Sequence, residues 1–315
     1  MVESGMSRRA MLALGAGALA AGAATEKLPK ICIFSKHLQW LNIADAAGLA
    51  AEIGFDGVDI TVRKGGHVDP SRAAEDLPKA VEAVRKAGLD VPMITAGIVT
   101  VKSPHADEIL RTASALGIRR YRWGGFRLDA RQSIPDQIAA DRPAVRDLEA
   151  LNRRYGVCAM YHTHSGVGQM GASIWDLYLL LKDFDPQFVG VNYDIGHATI
   201  EGGLGGWRNT ASLMAPCMRG VALKDFYWEK NAKGVWEPRW CPIGEGMVNF
   251  TEFFEMLRAA RFSGPFQLHF EYAEMGGADS GQRTLTISRA EFTSKVRHDL
   301  DQVRESMRRA GLGQA

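Results

Sequence analysis

The sequence predicts a single-domain (β/α)8 barrel. Three observations predict it: short apolar runs alternate eight times with amphipathic stretches, their starts are roughly 25 to 45 residues apart, and polar residues recur at the C-terminal ends of many runs. The runs are Ile31 to Ser35, Gly57 to Thr61, Val91 to Ala96, Arg120 to Gly124, Val157 to Thr163, Val189 to Asp194, Gly220 to Asp225 and Phe266 to Tyr272. Each is short and rich in β-branched or aromatic residues, as strands buried on both faces require. Between them, Asn42 to Ile53, Ser71 to Ala87, Pro143 to Tyr155 and Asn249 to Arg261 carry helical periodicity. Their Ser or Asn starts and the glycines at 88 and 156 are helix-cap chemistry. Ser288 to Ala310 closes the chain as a long charged helix. An open doubly wound sheet competes with the barrel, but no GxGxxG follows the first strand.

At 315 residues and 46% hydrophobic the chain buries a large core, and one barrel over residues 29–312 accounts for nearly all of it. The first 25 residues are set apart as a targeting segment. Ser7, Arg8 and Arg9 precede a weakly hydrophobic Gly/Ala-rich run with small residues at Ala21-Gly22-Ala23, the pattern of twin-arginine export to the periplasm or another extracytoplasmic space. That run is shorter than the ~20 residues needed to span a bilayer, so no stable membrane association is expected after cleavage. A net charge of +2 creates no field that would favour a polyanion such as nucleic acid and points to a small-molecule partner, neutral or weakly charged, such as a carbohydrate. Cys32, Cys158, Cys217 and Cys241 have no CxxC spacing and read as core residues, although an oxidising compartment permits Cys217 to pair with Cys241.

Metal-binding side chains gather late in three strands: His162 and His164 in YHTHSG, Asp194 and His197 in NYDIGHA, His269 and Glu271 in QLHFEY. Residues two apart in a strand share a face, so each of the pairs His162/His164 and His269/Glu271 points one way. In a closed barrel all of them reach the C-terminal rim, where active sites lie.

These motifs carry a resemblance. GFDGVDI in the second strand, HTHSG, YDIGHA, ALKD, PIGEG and HFE in the eighth strand together resemble the xylose isomerase-like TIM-barrel superfamily, which includes sugar isomerases, epimerases, hydroxypyruvate isomerase-like proteins and AP-endonuclease-like enzymes. The resemblance covers nearly everything after residue 28. It implies one divalent metal (Mn, Zn, Co or Fe) held by Glu, Asp, His and Glu from strands five to eight. Carried over by position, Asp194 and Glu271 match, while His162 stands at the first Glu position and Ala222 at the strand-seven His. Imidazole substitutes for carboxylate as a ligand, so the expected set is His162, Asp194 and Glu271, with His164 or His269 adding a nitrogen.

The resemblance makes His197 a substrate contact beside the metal. Lys224 shares a face with Ala222 and is a candidate oxyanion stabiliser or base, the alternative being an ion pair with Asp194 or Glu271. His37 and His67, after strands one and two, are further acid/base candidates, and Arg63 and Glu245 are candidate substrate contacts. The segment Phe226 to Gly246 carries Trp228, Trp236 and Trp240, whose faces suit sugar rings or a self-packed lid or dimer contact. The expected activity is metal-dependent proton abstraction next to a carbohydrate carbonyl, giving an isomerase or epimerase. Alternatives are a β-eliminating lyase on keto-glycosides and a non-catalytic sugar-binding barrel.

Overall fold

The computed structural model describes residues 28–313. The expected targeting segment over residues 1–25 lies outside them. Eight parallel strands close a barrel: β1 (Ile31–Phe34), β2 (Gly57–Val62), β3 (Ile94–Ala96), β4 (Arg120–Trp123), β5 (Cys158–His162), β6 (Val189–Asp194), β7 (Met218–Leu223) and β10 (Phe266–Leu268). Each strand lies beside the next in sequence, and β10 closes the ring against β1 with Ile31 opposite Phe266. The eight apolar runs of the sequence are these eight staves. Among the described residues no helix is long and apolar enough to cross a membrane.

Around the staves lie α1 (Ile43–Ile53), α2 (Ala73–Lys86), α3 (Ala106–Ala115), α4 (Ile134–Tyr155), α5 (Trp175–Leu181), α6 (Ile195–Gly202), α7 (Gly206–Met214), α8 (Phe250–Ala259) and α9 (Arg289–Arg309). Asn42, Ser133, Asn249 and Ser288 cap helices by accepting backbone N–H bonds from residues three further on. The expectation that a helix begins at Pro143 is corrected. Helix α4 begins at Ile134, with Pro135 in its first turn and Pro143 inside it. A capping serine and a first-turn proline set the start, and the longer helix tolerates one missing internal N–H.

Phe226 to Gly246 is not an irregular loop. Its core is an antiparallel hairpin of β8 (Asp225–Lys230) and β9 (Trp236–Cys241), inserted between the last two staves and paired from Asp225–Cys241 to Lys230–Trp236. Asp225 anchors it: its carboxylate accepts from the backbone N–H groups of Phe226, Gly244, Gly246 and Val248. A Cβ on Gly246 would lie 2.2 Å from Asp225 Oδ1, so this turn requires glycine. All four cysteines are free thiols. Cys217 precedes the start of β7 and Cys241 follows its end through the hairpin, so the length of a stave separates them.

Candidate functional site

The site stands on the C-terminal rim. His162 ends β5, Asp194 ends β6, and His269 follows β10 by one residue. One ligand atom from each lies within 4.8 Å of the others, and all three residues are buried. Asp194 Oδ1 caps α6 by accepting from the His197 N–H at 3.0 Å, while Oδ2 faces His162 Nε2 at 3.6 Å. Asp194 Oδ2 and both ring nitrogens of His269 have no hydrogen-bond partner. Buried donor atoms without partners are rare. Two imidazoles and a carboxylate converging, with the Asp194 and His269 atoms left unsatisfied, fit a divalent transition metal, so the donor set matches the expected cofactor.

A polar layer lies beneath this triad. Asp59 Oδ2 accepts from Thr95 Oγ1 at 2.6 Å and Gln267 Nε2 at 2.8 Å, Gln267 Oε1 accepts from Asn192 Nδ2 at 2.7 Å, and Asn192 meets His162 Nδ1 at 3.2 Å. The Asn192 carboxamide therefore sets the His162 tautomer. With its N–H toward Nδ1, the orientation that also donates to Gln267 Oε1, the ring carries its proton on Nε2; with Asn192 and Gln267 rotated together, the Asn192 oxygen accepts from Nδ1–H and leaves Nε2 a lone pair for a metal. Gly220 makes room for this arrangement, since a Cβ there would lie 3.0 Å from Asn192 Oδ1. Asn192 and Gln267 each precede a rim residue, Asp194 and His269, by two positions. That in-phase polar spacing was the sequence signal for them.

Lys224 is fully engaged. Its Nζ donates to Glu271 Oε2 at 2.8 Å and to His197 Nε2 at 2.7 Å, lies 3.2 Å from Asp194 Oδ2, and stands 4.4 Å from the centre of the Trp240 ring. The last oxygen is within ion-pair range but too poorly aligned to count as hydrogen-bonded. An ammonium only donates, so His197 carries its proton on Nδ1 and donates it to Ser165 Oγ at 2.7 Å. Lys224 thus orders Glu271 and His197 rather than standing free as a base. Lys36 holds the other Glu271 oxygen at 3.3 Å, so Glu271 is committed to two lysines and lies outside the triad.

His164 also lies outside the triad. Its Nδ1 lies 3.0 Å from the Ser165 carbonyl, which can only accept, so Nε2 is an unprotonated lone pair. The ring packs on His197, tilted by 33° with ring centres 3.9 Å apart, and lines a cavity of about 300 Å³ with Arg63, Arg122 and His162. His37 stands behind His269 with both nitrogens bound to backbone: Nδ1 donates to the Ala278 carbonyl at 2.9 Å and Nε2 accepts from the Phe270 N–H at 3.2 Å. His67 reaches the Leu41 carbonyl at 3.3 Å. Glu245 is an exposed turn residue. Trp240 faces the site, whereas Trp228 lines a separate groove with Leu204 and Trp207.

Burial pushes the imidazoles of His162, His197 and His269 far below their ordinary value, and the charges of Arg122 and Lys224 add to this. His37 falls to about 3 by burial. Burial raises Asp194 despite Lys224 beside it. Burial alone would raise Glu271 too, but Lys224 and Lys36 win and hold it well below the usual carboxylate range. The site therefore joins neutral imidazoles to a lysine-clamped carboxylate.

Residues 47–296 match the profile of the xylose isomerase-like TIM barrel family. The chain belongs to this family. No curated protein matches it significantly in sequence. Among solved structures, the family chain is similar to 3-keto-D-glucoside 4-epimerase, YcjR, from E. coli, at 17% identity and a TM-score of 0.61 over 88% of this chain and 99% of that one. A xylose isomerase domain protein from Planctomyces limnophilus gives 15% identity and a TM-score of 0.64, covering 91% and 99%. A xylose isomerase-like protein from Mycobacterium smegmatis, solved in complex with magnesium, gives 14% and 0.62, covering 90% and 98%. At these identities the likeness is one of fold.

Proposed function

We propose that this chain is an exported enzyme that removes a proton next to a carbohydrate carbonyl and returns it to another position or face, an isomerase or epimerase. The observation that carries the reading is the buried triad of His162, Asp194 and His269, in which Asp194 Oδ2 and both His269 ring nitrogens have no hydrogen-bond partner, beside a rim cavity. A divalent cation bound there would polarise the substrate carbonyl as a Lewis acid. His164 is the base: it lines the cavity, Nε2 is its unprotonated nitrogen, and its other nitrogen is pinned to a backbone carbonyl. Glu271, fixed by two lysines, orients substrate hydroxyls, and Trp240 excludes water behind Lys224.

A lyase reading is favoured by one observation. Beside the triad stand unlike groups, the His164 imidazole and the Lys224 ammonium, and unlike groups suit an elimination in which one takes a proton and another protonates the leaving group. Incubation with keto-sugars and keto-glycosides in heavy water separates these readings. Carbon-bound deuterium is expected with native enzyme and falls about 10²-fold or more in His164→Ala. Rearranged sugars identify the isomerase or epimerase, and released aglycone the lyase. Binding without exchange, and no bound metal lost on Asp194→Ala or His269→Ala, overturns both in favour of a binding barrel.

A further inference from the structure

The cavity beside the triad is walled on one side by two guanidinium groups with nothing to bind. Arg63, just past β2, and Arg122, in β4, stand over the same Phe34 ring, 5.4 and 5.6 Å from its centre, and the Lys36 ammonium is 5.9 Å from it. The same ring packs on His269 at 4.9 Å, so this cationic cluster adjoins the triad. Lys36 has its counter-ion in Glu271. Among the described residues, neither Arg63 nor Arg122 has a carboxylate within 4.0 Å or a side-chain hydrogen bond. The nearby carboxyl is Asp59: its Oδ2 accepts from Thr95 and Gln267, and its Oδ1, without a partner of its own, makes no ion pair with either guanidinium. Arg63 and Arg122 are half-buried residues, and both line the cavity of about 300 Å³ that His162 and His164 also line.

Holding like charges together in a partly desolvated pocket is costly, and a planar fork of N–H donors is the side chain suited to a carboxylate or phosphate. An anion there would satisfy both arginines and remove their repulsion. The cationic charge of the mouth also exceeds what its carboxylates neutralise: Lys36, Arg63, Arg122 and Lys224 face Asp194, Glu271 and Asp59, and burial lifts Asp59 to about 7, so that it is partly neutral near neutral pH.

We propose that Arg63 and Arg122 form an oxyanion subsite and that the substrate is an acidic sugar, bearing a carboxylate or a phosphate, with its reacting carbonyl toward the triad. This rests on the carbohydrate reading above and narrows it. The small cavity takes one sugar-sized ring and its anionic group. Arg63 and Arg122 contribute binding and orientation, with no part in the proton transfer.

Binding by calorimetry at constant ionic strength tests it, with D-glucuronate against D-glucose, D-glucose 6-phosphate as the phosphate arm, and inorganic phosphate alone. The acidic sugars are expected to bind about tenfold to a hundredfold more tightly than glucose, the better of the two identifying the anion. That preference disappears in Arg63→Met and in Arg122→Met, while Arg122→Lys recovers it only in part because an ammonium lacks the fork. Far-UV circular dichroism checks folding, and Arg63, lying outside the strands, serves if the Arg122 variants misfold. Equal affinity for glucose and glucuronate, or a preference that survives Arg63→Met, overturns the subsite whatever the activity. Phosphate binding lost in Arg63→Met, with no sugar bound or exchanged, keeps the anion site and overturns the carbohydrate reading.

Discussion

At the scale of single residues, one lysine decides how the site is divided. Lys224 binds Glu271 and His197 and lies against Asp194, so it separates Glu271 from the triad of His162, Asp194 and His269. Removing one partner of a buried ion pair leaves uncompensated charge, so Lys224→Met should cost about 3–5 kcal/mol of unfolding free energy in urea titrations. In that variant a divalent cation should restore more stability than in the native protein, because Glu271 is released toward it. Asn192 offers a second test. Asn192→Leu removes the amide whose oxygen, in the rotated pair, holds the His162 Nδ1–H and frees Nε2, and should weaken metal binding about 10–100-fold, read from metal titration rather than turnover. The rim residues Asp194, His162 and His269 were legible in the sequence because each closes or follows an apolar run. What could not be read was which polar atoms would spend their bonds on each other: Glu271 and His164 carry suitable donors, yet one is held by lysines and the other is turned to its neighbour's carbonyl.

At the scale of elements, the inserted hairpin forms the wall behind Lys224. It places Trp240 over the ammonium and against His197, with ring centres 5.0 Å apart at 87° in the second contact. Its base depends on Asp225 receiving backbone N–H groups at 2.9 to 3.1 Å. Asp225→Ala would strand those donors. A loss of about 3 kcal/mol is expected in urea titrations, with Trp240 fluorescence shifting as the wall loosens. The sequence marked this segment as aromatic and long but did not mark it as paired strands, because Pro238 and the charged residues of β9 break the alternation that signals a hairpin. In α4 the reverse occurred: Pro143 reads as a helix start, while the structural start is the Ser133 cap.

At the scale of the whole molecule, buried titratable groups set how stability follows pH. His37, His162, His197 and His269 are held neutral when folded, His37 with a value of about 3 and the others well below the ordinary one. The unfolded chain takes up those protons as pH falls through about 6.5, so stability is lost on acidification. Asp59 and Asp299, each raised to about 7 by burial, act in the opposite sense: their contribution is complete below about pH 4 and is lost as pH rises through 7. Glu271, depressed by its lysines, contributes above about pH 4 and loses that contribution only below it. His67 and His164, also lowered by burial, join the four histidines, and Asp194 and Asp225, also raised by burial, join the two carboxyls. The lowered histidines outnumber these raised carboxyls, so at pH 5 unfolding of the metal-free protein takes up protons and stability rises with pH. Urea midpoints should therefore peak near pH 7 and fall steeply toward pH 5. In Asp59→Asn the decline above the peak should be shallower.

The order of apolar runs, cap residues and glycine stops determined the barrel and the rim that carries the chemistry, because strand pairing and helix capping act over short stretches of chain. Donor groups at the ends of staves five, six and eight were fixed by the same local spacing. Only the closed barrel decided which of them meet. Arg63 with Arg122, Lys224 with Glu271, and Asp59 with Asn192 through Gln267 are brought together across the ring, over sequence separations of tens to hundreds of residues. Their charges and hydrogen bonds are then divided by distance and desolvation, which a linear pattern does not contain.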